Sequence, residues 1–204
     1  MLSGSEPLKG SEPCYRIFFC VSSGSMTPDL YIPTYTIKDW KLWEGDWELI
    51  KGTPVAMSPA PLIKHQLMGS NLLTYFNIAL REDKISCGCH VLYEEDWIID
   101  ETNVVRPDIL IACGTIDPDG HITKPPVLIV EIFSKSTQLK DRNTKFSLYE
   151  FCGVKYYLMA DPDNQSVEVY ELTDNKYKQI FPPFSFKLSE TCFIGFDVKA
   201  ALQV

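Results

Sequence analysis

The chain has 204 residues, of which 45% are hydrophobic and 23% charged, and its formal net charge at pH 7 is −8. This composition is typical of one packed globular domain, and it excludes a disordered chain, a collagen and a coiled coil. No apolar run approaches the ~20 residues that cross a bilayer. The negative net charge excludes attraction of nucleic acid by bulk charge alone, although a local basic surface can still contact phosphates.

The N-terminal segment differs in composition from the rest of the chain. The sequence GSEP occurs at residues 4–7 and again at 10–13, and little apolar surface is available to offset the entropy of ordering. We expect residues 1–25 to be a flexible tail or an upstream remnant, with one domain over residues 26–204.

The seven cysteines are scattered and odd in number, without the density of a secreted disulfide scaffold. No segment has the pattern of a signal peptide. The CGCH segment at 87–90 lacks a second ligand pair at zinc-site spacing. We therefore expect free thiols in a reducing cytoplasm.

Local signals predict the elements of the N-terminal half. Residues 36–44 predict a short helix capped by Thr36, with Asp39 completing a capping box. Residues 47–58 predict two short strands around a turn at Lys51 and Gly52. Residues 63–81 place apolar side chains at helical spacing and predict the longest helix of this half.

Strands dominate the prediction further along. Three segments predict single strands: residues 91–100, 104–114 and 125–134. Residues 136–153 begin with hydroxyl side chains and end at Gly153, which predicts a helix of four turns. Residues 154–160 and 166–172 predict a hairpin. The fold class is therefore α/β or α+β, with a mixed central sheet flanked by helices.

Two acids on consecutive predicted strands are the strongest candidates for chemistry. Asp108 follows Arg106 and Pro107 at the start of one strand, and Glu131 lies inside the apolar run of the next. A carboxylate there is costly unless it is paired or binds a metal. If the strands are neighbours, both acids can face one divalent cation such as Mg²⁺. Each acid also has a purely structural interpretation. Asp108 is then a turn residue, and Glu131 is the partner of an arginine such as Arg106.

A basic segment follows the second acid. It holds one acid, Asp141, and four basic residues: Lys135, Lys140, Arg142 and Lys145. Lys145 is a candidate to orient an attacking water or to stabilise a transition-state phosphate. The alternative is an ion pair between Asp141 and Lys145 on a solvated helix face, worth only ~0.2–0.5 kcal/mol.

The order of these motifs resembles a known family. VVRPDILIACG, PPVLIVEIFSKST and the segment from KDRNTKF to SVEVYEL are similar to the Uma-type family of restriction endonucleases, a bacterial branch of the PD-(D/E)XK nuclease superfamily. WELIKGTPVAMSPAPLIKHQ resembles the family's upstream segment. The resemblance covers residues 35–172, and the full ordered series is specific where a lone PD followed by Glu would be weak.

The resemblance implies a restriction-endonuclease-like core that hydrolyses DNA phosphodiester bonds with Mg²⁺, for which Mn²⁺ is a possible substitute. It assigns Asp108 and Glu131 as metal ligands, with the Ile132 backbone carbonyl as a third. Glu48 matches an upstream acid that would hold a second cation or a metal-bound water. His65 matches the family's histidine and receives a weaker role, contact with a phosphate.

The lysine departs from the superfamily pattern. The usual position, two residues after the strand acid, holds Phe133. The resemblance assigns the role to Lys145 from the following helix. Lys135 replaces a proline of the family pattern and rivals Lys145 for it. Weaker substrate contacts are expected from Lys135, Lys140 and Arg142.

The resulting prediction is a cytoplasmic, Mg-dependent endonuclease acting on DNA, with no membrane association. Its expected catalytic residues are Asp108, Glu131, Lys145 and Glu48. We expect a homodimer, because nuclease domains that cut both strands commonly pair. The alternative is a catalytically silent module of the same fold that binds or regulates another molecule. Phe133 at the usual lysine position and the net negative charge favour this alternative.

Overall fold

The computed structural model describes most of the chain. The described residues are 33–57, 62–82, 87–134 and 141–203. The predicted tail at residues 1–25 lies outside them, and so do Lys135 and Lys140, so these predictions stay predictions. In the part of the chain that the structure describes, no helix is long and apolar enough to span a membrane.

The chain divides into two compact units, and the first holds the described residues up to Met57 together with residues 100–104. In it, helix α1 (Ile37–Trp40) begins after Thr36. The backbone N–H of Thr36 donates to the Asp39 carboxylate at 2.8 Å, which confirms the predicted capping box. The boundary of a single domain at residue 26 stays a prediction.

Two strands of the first unit pair antiparallel, as predicted. They are β1 (Trp47–Ile50) and β2 (Thr53–Ala56). The turn between them requires glycine at position 52, where φ is +72° and a Cβ would collide with the Thr34 side chain.

The segments predicted as single strands at residues 91–100 and 104–114 form four strands instead. They are β3 (Cys89–Tyr93), β4 (Trp97–Asp100), β5 (Asn103–Val105) and β6 (Ile109–Cys113). The first segment breaks after β3, where Glu94 has a φ of +49°. The second breaks at Pro107, which has no N–H to donate to a neighbouring strand. Asp108 immediately precedes β6.

The second unit is built on a six-stranded mixed sheet. This sheet contains β3 and β6 together with four further strands. These are β7 (Leu128–Ile132), β8 (Tyr156–Asp161), β9 (Ser166–Thr173) and β10 (Lys176–Ile180). The strand order is β10-β9-β8-β7-β6-β3, in which β7 and β8 are parallel and the other pairs antiparallel. The parallel pair requires a crossover, and the chain between β7 and β8 contains a helix. The predicted fold class, a mixed sheet with flanking helices, is confirmed.

Both predicted helices of the second unit are present in the described residues. Helix α2 (Ile63–Glu82) matches its prediction closely. The helix predicted for residues 136–153 is described from Asp141 onward. A π-helical turn (Asp141–Lys145) leads there into helix α3 (Phe146–Cys152). Gly153 ends α3 with a φ of +81°, as its position predicts.

The last part of the chain forms further elements that were not predicted from the sequence. They are the paired strands β11 (Phe184–Lys187) and β12 (Phe193–Phe196), and helix α4 (Val198–Gln203). Their apolar side chains join the core that α2 forms with the sheet.

Helix α2 covers one face of the sheet. Its buried side chains pack against alternate residues of β6, β7 and β8: Ile109, Ile111, Leu128, Val130, Ile132, Tyr156 and Leu158. Because alternate strand residues share a face, Glu131 projects to the face opposite Val130 and Ile132, as predicted.

The prediction of free thiols is wrong for four cysteines. Cys89 of β3 and Cys113 of β6 are register partners and form a disulfide. Cys87 is bonded to Cys192, which immediately precedes β12. The partners are 24 and 105 residues apart in sequence. Strand pairing and the packing of the C-terminal hairpin bring them together, so their spacing carried no local signal.

Candidate active site

One candidate acid, Asp108, immediately precedes β6, and the other, Glu131, lies on the neighbouring strand β7. In the antiparallel pair of β6 and β7, Ile109 is paired with Val130. The same register, extended by one residue, sets Asp108 opposite Glu131. A cation shared by the two acids requires these strands to be neighbours, and they are.

The Asp108 carboxylate is held between the end of β7 and helix α2. Its Oδ2 accepts a hydrogen bond from the Ile132 backbone N–H at 2.6 Å. Its Oδ1 lies 3.5 Å from Nε2 of His65. The side chain is 18% exposed. Asp108 therefore has fixed orientation together with access from solvent, which a metal ligand needs.

His65 lies in the first turn of α2 and is 7% exposed. Burial lowers the pKa of the imidazole, but the hydrogen bond to Asp108 and its charge oppose this. A hydrogen bond to the backbone of Ile132 and the charge of Glu94 act in the same direction, so the pKa of His65 is raised overall. His65 is therefore part of the Asp108 environment, while its predicted contact with a phosphate stays a prediction.

The Glu131 carboxylate is buried, with 4% exposure of the residue, and receives donors from the helical segment after β7. Its Oε1 accepts hydrogen bonds from Lys145 Nζ at 2.8 Å and from the Tyr149 hydroxyl at 2.7 Å. Lys145 is 3% exposed, so its interpretation as part of a solvated helix face is wrong. Charges this deeply buried need such partners.

Tyr149 is the contact of Glu131 that sequence reasoning missed. It stands four residues after Lys145, so both side chains reach the same face, and this spacing was a usable signal. Its ring centroid lies 5.2 Å from that of Tyr157 and 6.0 Å from that of Trp97. These rings fix the position from which the hydroxyl donates to Glu131.

Two further side chains near Asp108 were also missed. Glu94 follows β3, and its backbone N–H donates to the Asp108 carbonyl at 3.0 Å. Burial, followed by the charges of Glu94 and Asp108, raises the pKa of the neighbouring Tyr93 to about 12. The end of β3 thus adds negative charge to the surroundings of Asp108.

The arginines of the prediction form ion pairs with other acids. Arg106, considered as a partner for Glu131, donates from Nε and Nη2 to Asp96 at 2.9 and 3.0 Å. Arg142 donates to Glu168 at 3.1 Å, and its guanidinium carbon lies 4.7 Å from the centroid of the Phe133 ring. The role of Arg142 in substrate binding stays a prediction.

Glu48 lies on β1 and is buried. It belongs to the first compact unit, whereas Asp108 and Glu131 belong to the second. Its assignment as a metal ligand therefore stays a prediction.

The donors near Asp108 fit a hard cation. Across the described ranges, no group of three or more His, Cys, Asp or Glu side chains is placed to hold a metal ion. A cation here would depend on Asp108, Glu131 and the Ile132 carbonyl, completed by water and substrate oxygens. Mg²⁺ suits such a set, because it is usually bound by one or two carboxylates and keeps several waters.

Two comparisons relate the chain to known proteins. Residues 39–200 match the model of the Uma2 family, described as "Putative restriction endonuclease". The fold is similar to the crystal structure of a putative nuclease belonging to DUF820 from Anabaena variabilis ATCC 29413. That chain is 18% identical, with a TM-score of 0.63, and the match covers 82% of this chain and 97% of that one. No curated protein matches the chain.

Proposed function

Because the chain belongs to the Uma2 family of putative restriction endonucleases, we propose that it is a metal-dependent endonuclease hydrolysing phosphodiester bonds of DNA. The observation that carries this proposal is the buried contact of Lys145 with Glu131. This contact lies beside Asp108, because Ile132, the residue after Glu131, donates its backbone N–H to the Asp108 carboxylate. A buried ion pair is often replaceable by apolar side chains without loss of stability. Its presence at this point of a nuclease fold therefore supports a chemical role.

Each residue of the site has a role that follows from its contacts. Asp108, Glu131 and the Ile132 carbonyl would hold the cation. Mg²⁺, when bound, polarises a phosphoryl oxygen and lowers the pKa of a coordinated water. Lys145 would orient the attacking water or stabilise the negative charge that develops on the phosphate. Tyr149 would hold the Glu131 carboxylate in position beside Lys145 by donating a hydrogen bond to it.

We assign the lysine role to Lys145 rather than Lys135. The Nζ of Lys145 lies 2.8 Å from Glu131 Oε1, while Phe133, at the usual lysine position, contacts the Arg142 guanidinium. Lys135 lies outside the described residues, and only the basic character of its segment supports a role for it.

The proposal extends to Mg²⁺ as the cofactor, with Mn²⁺ as a substitute, to Glu48 as a ligand of a second cation, and to a homodimer. With a net charge of −8, DNA contacts must come from local basic residues rather than from bulk charge. The alternative function is a silent module of the same fold, which Phe133 at the lysine position favours.

Cleavage of supercoiled plasmid tests the proposal. Wild-type protein is incubated with Mg²⁺, Mn²⁺ or EDTA beside Asp108→Asn, with Asp174→Asn as the matched control on an exposed acid. We expect metal-dependent nicking by wild type and control, and a loss of about 100-fold or more for Asp108→Asn, because several kcal/mol of transition-state stabilisation disappear.

Two results would contradict it. Equal nicking by folded Asp108→Asn would assign the activity to another site or to a contaminant. Absence of nicking by folded wild type with either ion would favour the silent module.

A further inference from the structure

The side of α2 that faces away from the sheet carries exposed apolar side chains and no charge. Ile63 is 76% exposed, Leu67 61% and Ile78 45%. Together with the exposed Ser70 and Thr74 they lie at helical spacing, within about a quarter of the helix circumference. These five residues are called the outer face of α2. The solvent side of a surface helix normally carries charged and polar residues, so this face is unusual.

The charges of α2 lie away from its outer face. Among residues 63–78, all of which the structure describes, the sequence holds one lysine, Lys64, and no arginine, aspartate or glutamate. Lys64 forms an ion pair with Asp163, in the turn between β8 and β9. Arg81 follows Ile78 by nearly one turn. Phosphates of DNA are contacted mainly by basic and polar donors, so an apolar face without a basic residue does not suit DNA.

Contacts on its other sides fix α2 firmly in place. The buried side of the helix packs against the sheet. Asn71 Nδ2 donates to the Leu202 carbonyl of α4 at 3.0 Å, and the Tyr75 hydroxyl donates to the Gly195 carbonyl of β12 at 3.3 Å. The outer face is therefore preformed, and a partner that binds it pays little for ordering the backbone.

The outer face is symmetric about its midpoint, which lies between residues 70 and 71. Ile63 and Ile78 are equally distant from this point, and so are Leu67 and Thr74. If two copies of α2 pack antiparallel about a two-fold axis here, Ile63 meets Ile78 of the second copy, and Leu67 meets Thr74. Ser70 then stands beside the axis, where a small side chain allows the two helices to approach closely.

We propose that the outer face of α2 is the interface between two copies of this chain, packed antiparallel about a two-fold axis between residues 70 and 71. This inference rests on the homodimer of the proposed function and names its surface, and it is independent of the nuclease chemistry. Each copy carries a net charge of −8, so two copies repel each other, and contact through an uncharged face adds least to this repulsion.

The size of the face determines how tight the dimer is. A helix segment from Ile63 to Ile78 is about 24 Å long. One pair of such helices buries less than the ~1,200–2,000 Å² of a standard interface. We therefore expect a weak dimer that forms at micromolar concentrations.

Other occupants of this face predict other behaviour. If another segment of the same chain or a different protein covers it, the pure protein is monomeric at every concentration. If DNA covers it, dimers do not form in the absence of DNA.

Sedimentation velocity without DNA tests the interface. Wild type, Leu67→Glu and Thr74→Lys are compared from about 5 to 500 µM, the range in which a weak dimer dissociates. Phe151→Glu on α3 is the matched control, because Phe151 is an apolar side chain that is 89% exposed. We expect wild type and the control to dimerise equally. Each of the other two variants should lose at least about tenfold in affinity, because a charge is then buried without a partner.

The double variant Leu67→Glu with Thr74→Lys tests the antiparallel register. Each introduced glutamate then faces an introduced lysine of the second copy, twice in one dimer. We expect the double variant to dimerise at least about tenfold more tightly than Leu67→Glu. Leu67→Glu with Phe151→Lys has the same net charge and should remain as weak as Leu67→Glu. A double variant no tighter than this control overturns the register and with it the inference.

The substituted side chains are exposed, and circular dichroism verifies that the variants are folded. Wild type that stays monomeric up to about 500 µM removes both the inference and the homodimer. Dimerisation that Leu67→Glu leaves unchanged removes the inference and keeps the homodimer. Neither result bears on the nuclease chemistry, which plasmid cleavage by Asp108→Asn tests separately.

Discussion

A buried lysine and a buried glutamate meet at the end of β7. The side chains of Lys145 and Glu131 are 3% and 5% exposed, and their contact at 2.8 Å is joined by the Tyr149 hydroxyl. Withdrawing two charges from water is costly, and their attraction offsets this cost only with good geometry and additional hydrogen bonds. The stability of the fold is therefore sensitive to the loss of either side chain of the pair.

Removing one charge of this pair tests that sensitivity. We expect Lys145→Met and Glu131→Gln each to lower the free energy of unfolding by about 3–5 kcal/mol, because the remaining charge stays buried without its partner. The double variant should lose less than the sum of the single losses. Urea unfolding followed by circular dichroism measures all four proteins, and strictly additive losses would show that the two charges do not depend on each other.

The helical segment between the parallel strands brings several site residues together. It begins after β7 and carries Arg142, Lys145 and Tyr149 back over the sheet before β8. Lys145 and Tyr149 contact Glu131 on β7, and Arg142 pairs with Glu168 on β9. One crossover thus connects the candidate site with the neighbouring strands of the sheet.

The ion pair of Arg142 and Glu168 makes the stability of the fold dependent on pH. The hydrogen bond from Arg142 lowers the pKa of Glu168, burial opposes it, and the Tyr170 hydroxyl adds to the lowering. Since the pKa is lower in the folded state, the stabilisation is present above the unfolded pKa of ~4.3 and is lost as the pH falls through the folded pKa.

Urea unfolding of wild type and Glu168→Gln between pH 7 and pH 2 measures this effect. Both side chains are about one third exposed, so we expect wild type to be more stable at pH 7 by no more than about 1 kcal/mol. The difference should shrink toward zero in acid. A difference that is constant over this range would rule out the ionised pair as its source.

Two disulfides constrain the second unit as a whole. Cys87 and Cys192 are 105 residues apart in sequence, and Cys89 and Cys113 are 24 apart. A crosslink that closes a longer loop removes more conformations from the unfolded chain. The disulfide between Cys87 and Cys192 links the residue before β12 to the segment before β3. The stability of the hairpin of β11 and β12 therefore depends on this disulfide.

Removal of each disulfide tests this difference. We expect the variant Cys87→Ala with Cys192→Ala to lose about 2–4 kcal/mol of unfolding free energy. The variant Cys89→Ala with Cys113→Ala should lose less. Denaturant unfolding without reductant measures both, and thiol counting in the unfolded wild type is the control. Seven reactive thiols in protein kept from reductant would contradict the two disulfides, since the chain has seven cysteines in total.

Local signals in the sequence were sufficient to predict several helices and their ends. The helical spacing of α2, the capping box at Thr36 and the stop at Gly153 involve residues within a few positions of one another, so short-range geometry decides them. The family could also be recognised from the sequence, because the motifs around Asp108 and Glu131 occur in its characteristic order. Pro107 was a local signal too, and it explains why one predicted strand forms two.

The tertiary structure alone decided which distant residues meet. The spacing of Lys145 and Tyr149 predicts that they share a face, but only the packing of that face against β7 brings the Tyr149 hydroxyl to Glu131, 18 residues earlier. The sequence around Asp108 likewise does not indicate its contact with the imidazole of His65 on another element. The disulfide of Cys87 with Cys192 is the extreme case. Such contacts arise only when strand register and helix packing are set, because these depend on the burial of apolar side chains along the whole chain rather than on any local pattern.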